Sequence, residues 1–225
     1  RMNMGYMHLN IKTVGLGSGI SMGMLGCSHF GLTDLAVMGA IPGMTIFSPC
    51  DCAQLVMCVE AAAEMEGPVY IRMTGEPGMP MVYSDSFSFT PGEAPILRRG
   101  GDVLLAATGS MVHQSLAAAD LLADMGIEVT VADVHTVKPL DPALLGSGEY
   151  RMVFTVEEHS VIGGLGAAVN ACAVGMSQVP RVVNIGLPDS YMKAGSYQYM
   201  LQELGLTPET LAGRIADACK RFRSE

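Results

Sequence analysis

No stretch of the 225 residues reaches the roughly 18 to 20 uninterrupted apolar positions that a membrane span requires, and the first residues lack the basic, apolar and small-residue succession of a secretory signal. A cytoplasmic protein with no membrane partner is the expectation. Positive charge is scarce as well: 13 Lys and Arg stand against 22 Asp and Glu, for a formal net charge of -9 and a pI near 4.9. Non-specific nucleic-acid affinity comes from clustered cations, and here only Lys220, Arg221 and Arg223 gather, at the C-terminus. Nucleic acid is therefore excluded as a partner.

Regular cysteine spacing is missing too. Six cysteines without a repeating interval argue against a disulfide framework and for small buried hydrophobes in a reducing compartment. Cys27, His29, Cys50 and Cys52 make C-x-H and C-x-C, poor matches to the C-x2-C of zinc sites, so no metal is expected on these side chains. The glycine runs "GLGSGI" (15–20) and "GLGAAV" (164–169) both lack the last glycine of G-x-G-x-x-G, and no P-loop Lys-Ser/Thr follows them. Internal repeats and low-complexity segments are absent.

What is present is apolar content of 49%, ample for a large core, in a pattern that alternates strand and helix. "IKTVG" (11–15) reads as a strand entering a glycine-rich loop over 15–28, and 31–39 reads as a short helix. "MTIFS" follows as a strand after the Pro-Gly turn at 42–43. Asp51 then caps a helix that places Cys52, Leu55, Val56, Val59, Ala62 and Ala63 on one face and ends at Gly67 and Pro68. "VYIRMT" is the next strand.

From Gly75 to Gly101 the composition turns to Pro, Gly, Ser and charge, which places a domain boundary there and divides the chain into 1–85 and 86–225. Beyond it come strands at 102–108, 127–133, 152–156 and 181–185. Helices are expected at 112–125, closed by Gly126, from about 164, at 197–204 and at 208–222, the last with Thr207 and Pro208 as N-cap and first residue. The fold class is α/β, with two mostly parallel sheets covered on both faces.

Three histidine-bearing motifs could carry chemistry. "TVEEHSVIGGLGAAV" (155–169) sets Glu157, Glu158 and His159 at the end of a strand, where open α/β sheets bind ligands, although a hydrogen-bonded loop or a subunit contact explains them more simply. In "HTVKPLD" (135–141), His135, Lys138 and Asp141 surround Pro139 as a rigid turn. His8 and His113 have no partner nearby in sequence. His29 differs, because it lies outside any periodic apolar pattern, after a glycine loop and ahead of a helix start that favours anions.

The run "CSHFGLTDLAVMGAIPGMTIFSPCD", followed in order by "GPVYIRM", "TVADVHTVKPLD" and "TVEEHSVIGGLGAAV", resembles the C-terminal subunit of split, transketolase-like enzymes over essentially all 225 residues. The resemblance implies thiamine diphosphate as cofactor and transfer of a two-carbon ketol unit from a ketose or 2-oxo donor to an acceptor. It assigns 1–85 to the second half of a pyrimidine-binding domain and 86–225 to a transketolase C-terminal domain.

The family's ring-protonating glutamate and stacking aromatics are then expected upstream of Arg1. The Gly-Asp-Gly and Asn motif that holds the diphosphate with Mg2+ or Ca2+ is expected on an N-terminal partner subunit, in a heterotetramer. By position, His29 matches the active-site histidine that contacts the substrate carbonyl or hydroxyl.

Four family positions depart: Gly17 stands for a second histidine, Leu25 for an aspartate, Gly39 for an arginine and Gly75 for a phosphate-binding arginine. Arg72 is the candidate to compensate. The β-subunit of a 2-oxo acid dehydrogenase E1 component shares the two-domain plan, and a non-catalytic assembly subunit would also fit the lost polar positions.

Overall fold

The structure, a computed structural model, describes residues 1–76, 78–83, 87–146 and 148–223. The boundary expected between residues 85 and 86 lies outside the described residues.

Two sheets form. The first contains β1 (Lys12–Ser18), β2 (Thr45–Phe47) and β3 (Val69–Thr74), all parallel, in the order β1-β3-β2. Alternation along β3 sends Val69 and Ile71 to one face, where they pack with Phe47 of β2 and with Cys58 and Ala62 of helix α2 (Cys52–Glu64). Tyr70 points the other way, into a cluster with Leu35 of α1 (Asp34–Gly39), Met44 and Ile46. Asp51 caps α2 as its sequence position implies, its carboxylate accepting from Gln54 N–H at 2.8 Å.

The second sheet runs β4-β6-β5-β8-β9, from β4 (Ile96–Arg98), β5 (Val103–Ala107), β6 (Thr130–Asp133), β8 (Met152–Ser160) and β9 (Arg181–Leu187). Only the edge strand β4 is antiparallel. In β5, Val103, Leu105 and Ala107 join the core under α3 (Met111–Asp124), α5 (Tyr197–Glu203) and α6 (Pro208–Arg223), while Leu104 and Ala106 meet Leu165, Val169 and Ala173 of α4 (Leu165–Val174). Burial on both faces is why this strand reads as an unbroken apolar run.

The expected turn at 135–141 contains a strand, β7 (Thr136–Lys138), which leaves the second sheet and pairs antiparallel with β2 at the edge of the first. Ser48 N–H donates to the His135 carbonyl at 2.8 Å, and Lys138 Nζ donates to the carbonyls of Gly39 and Ile41 at 2.7 and 2.6 Å. The motif is structural, and it joins the sheets.

Other differences from the expected elements have clear causes. The first strand continues to Ser18 through glycines read as loop, because a Cβ on Gly15 would lie 2.1 Å from the Tyr70 hydroxyl and its absence lets the chain lie flat on β3. Residues 23–28 form a 3₁₀ segment, and α1 begins only at Asp34. Its acidic first turn removes the anion-binding helix start proposed near His29. Of the cysteines, Cys50, Cys58 and Cys219 are buried, whereas Cys27, Cys52 and Cys172 are exposed rather than core hydrophobes.

Candidate functional site

His29 sits on a closed loop. Gly19 and Gly31 exchange two backbone hydrogen bonds, each 2.9 Å, so residues 19–31 leave and re-enter the same point at the end of β1. Gly19 has φ +74°, a left-handed conformation that suits a neck of this kind. One flank is held to a segment of the second half: Gly195 N–H donates to the Gly23 carbonyl at 3.1 Å, and the Cys27 thiol to the Met192 carbonyl at 2.8 Å. Met22, Met24 and Leu25 face outward, Met24 with 74% of its surface exposed.

The His29 side chain is exposed, and its Nδ1 lies 3.0 Å from the Ser28 hydroxyl, itself 3.4 Å from the Leu25 carbonyl. A hydroxyl has one proton to give. If it goes to the Leu25 carbonyl, Nδ1–H donates to Ser28 and Nε2 offers a lone pair; if it goes to Nδ1, Nε2 carries the proton. The exposed imidazole can therefore present an acceptor or a donor.

Beneath the neck lies a buried polar junction. Glu157, Glu158 and His159 are not a loop, nor do they offer a surface to another protein chain: they continue β8 and are fully buried. Glu158 accepts from Ile20 N–H at 2.7 Å, from the Ser110 hydroxyl at 2.5 Å and from the Tyr197 hydroxyl at 2.7 Å. Burial raises its pKa against those three donors. Glu157 caps α4 by accepting from the N–H groups of Leu165 and Gly166, and burial pushes its carboxyl up to about 7.

Arg72, fully buried on the Tyr70 face of β3, donates through Nε to Asp34 at 2.8 Å and through Nη2 to the Glu158 carbonyl at 2.8 Å. Burial alone would raise the Asp34 carboxyl, but Arg72 and the Tyr70 hydroxyl hold it below the ordinary carboxylate value. Burial lowers His159, whose Nδ1 lies 2.7 Å from the Ser160 carbonyl. Among the described residues its Nε2, 3.9 Å from Asp34 Oδ1, has no hydrogen-bond partner, and neither do Asp34 Oδ1 and Arg72 Nη1.

Arg72 is therefore committed to the junction and is not a compensating cation for a substrate phosphate. Gly17 lies in β1, Leu25 on the exposed side of the loop, Gly39 at the end of α1 and Gly75 just past β3, where φ is +86°. Cys27 faces Met192 while Cys50 faces Asp133, and among the described residues no group of three or more His, Cys, Asp or Glu is arranged to hold a metal ion. His8 packs over Gly43 and Gly67, and His113 lies within α3.

Sequence reasoning missed Asp34, Ser110 and Tyr197. The available signal was the arginine in "VYIRMT", since a cation in a strand that is otherwise core demands a buried anion.

Family models for the transketolase pyrimidine-binding domain and the transketolase C-terminal domain match residues 1–76 and 92–211. A 6-deoxy-6-sulfo-D-fructose transketolase subunit, SqwH, of Clostridium sp. (strain MSTE9) is 38% identical over 222 residues, 98% of this chain and 68% of that protein. An apulose-4-phosphate transketolase subunit of Phocaeicola vulgatus is 33% identical over 98% of this chain and 71% of its own. Among solved structures, a split-gene transketolase described as an inactive beta4 tetramer superposes with a TM-score of 0.86 at 38% identity, over 96% of this chain and 69% of that one. A Pichia stipitis transketolase shares the fold, with a TM-score of 0.75 at 19% identity over 97% of this chain and 31% of that one. Two family models in order, the split relatives and the shared fold lead to one conclusion: the chain belongs to the thiamine diphosphate-dependent transketolase family, as a subunit of its split kind.

Proposed function

We propose that this chain works with an N-terminal partner subunit to transfer a two-carbon ketol unit from a ketose or 2-oxo donor to an acceptor, with His29 as the catalytic residue it contributes. The observation that carries the reading is the exposed imidazole on a loop closed at Gly19 and Gly31. Thiamine diphosphate, when bound, supplies the electron sink for breaking and making the carbon–carbon bond. His29, on the same loop as the exposed apolar Met22, Met24 and Leu25, fits the uncharged ring side of such a cofactor and a substrate next to it. The Mg2+ or Ca2+ that accompanies the diphosphate is assigned to the partner subunit, and the assembly to a heterotetramer in the cytoplasm. Residues 1–85 and 86–225 are taken as the two domains.

At neutral pH an imidazole can give a proton to a substrate oxygen or take one from it, and the Ser28 contact allows either form at Nε2. Gly17, Leu25, Gly39 and Gly75 supply neither cation nor hydrogen-bonding side chain, so the substrate is not an ordinary phosphorylated ketose held in the usual way. A less hydroxylated or bulkier substrate suits the exposed apolar side chains of Met22, Met24 and Leu25. In the reconstituted complex, His29→Ala should lower kcat by roughly 10² to 10⁴ with cofactor affinity nearly intact. A loss of less than a few-fold makes His29 structural.

A further inference from the structure

We infer that Glu158 is a positioning residue for the reaction, its buried carboxylate gripping Ile20 N–H so that the neck of the 19–31 loop holds His29 in place. The inference rests on the reading of His29 given above. A loop containing Gly19, Gly23, Gly26 and Gly31 has much conformational freedom to lose, and the paired Gly19–Gly31 backbone bonds close its neck.

Glu158 supplies what those bonds lack, a reference point outside the loop. Its carboxylate is brought by β8 of the second sheet and is fixed by hydroxyls from Ser110, at the start of α3, and from Tyr197, in α5. Its carbonyl is fixed by Arg72 of the first sheet, and Arg72 Nη2 also lies 3.4 Å from the Gly31 carbonyl, on the other side of the neck. Both strands of the neck are thus tied to one residue's surroundings. Gly19 is shaped to this contact: a Cβ there would lie 2.2 Å from Glu158 Oε1. Gly195, which holds the loop's flank at Gly23, lies two residues before Tyr197, so one segment serves the flank and the neck.

Small misplacement of a catalytic group is expensive, on the order of 10²-fold for about 1 Å. In the reconstituted two-subunit complex, Glu158→Ala should lower kcat by about ten- to a hundredfold and change KM by no more than a few-fold. Glu158→Gln keeps an oxygen acceptor for Ile20 and should restore most of the activity. The decisive measurement is the cycle with His29→Ala: once the imidazole is gone, Glu158→Ala should cost nothing further. An equal loss in both backgrounds shows that Glu158 acts on the fold at large and overturns the inference. If His29→Ala itself is harmless, it is the reading of His29 that fails. Should Glu158→Ala not fold, as judged by its thermal melt, Tyr197→Phe removes one of the three donors and is read in the same cycle. Its loss of roughly two- to tenfold should likewise vanish without His29, and persistence overturns the inference.

Discussion

Asp133→Asn should stabilise the protein increasingly as pH rises. Asp133 ends β6 with no exposed surface; its Oδ2 accepts from Gln54 Nε2 at 2.5 Å and from the Tyr83 hydroxyl at 2.8 Å, and its Oδ1 has no partner among the described residues. Burial pushes the carboxyl up from 3.8 to about 7, against the pull of the Gln54 and Tyr83 hydrogen bonds. Between those values the unfolded chain has lost the proton and the folded chain retains it. The sign follows: stability falls as pH rises from about 4 to 7, by about 1.4 kcal/mol per pH unit for one proton. The amide has the shape of the protonated acid and can keep Oδ2's acceptor role, yet cannot ionise.

Between pH 5 and 7 the variant should gain about 2–3 kcal/mol on the wild type, with no further gain well above pH 7. Glu157, also raised to about 7, slopes the same way, and His135, lowered by burial to about 4, slopes the opposite way; both are common to the two proteins and cancel in the difference. The chain has no tryptophan, so urea unfolding is best followed by far-ultraviolet circular dichroism. A stability difference that stays flat from pH 5 to 8 would refute the argument, since it would mean that the folded protein holds no extra proton at this position.

Two further expectations concern the first sheet and the junction. Gly15→Ala places a methyl against the Tyr70 hydroxyl and should destabilise the protein by about 1–3 kcal/mol, and Tyr70→Phe, which on its own loses the hydrogen bond to Asp34, should cost less in this background than alone; an unchanged urea midpoint for Gly15→Ala would show that β1 can shift on β3 at no cost. At high resolution a crystal should show an ordered water between His159 Nε2 and Asp34 Oδ1, which are 3.9 Å apart and unpartnered among the described residues, and direct contact between them would rule it out.

Local signals were legible where one stretch of chain carried its own reason. The apolar run of β5, the Asp51 cap of α2, Gly126 after α3 and the Thr207–Pro208 start of α6 are each visible within a few residues. Features that depend on distant partners were not. Glu157, Glu158 and His159 look like a loop until Ile20, Ser110 and Tyr197 are seen to converge on Glu158, and Gly15 looks like a loop glycine until Tyr70 is beside it. β7 is three residues long and takes its partner from another sheet, so no periodicity could announce it. His29 stood out by its misplaced polarity, but the closure of its loop depends on a glycine pair with no signature of its own.

The migration of β7 bears on how such chains can be recombined. Residues 136–138 descend from the second half of the polypeptide yet complete the sheet of the first, and Lys138 ties down the Gly39–Ile41 bend there. A chimera joined anywhere between the two sheets would bring a foreign edge strand into its host's first sheet, together with a foreign contact at Ser48. Shuffled halves would thus be compatible only when three residues far from the join also match their new neighbours.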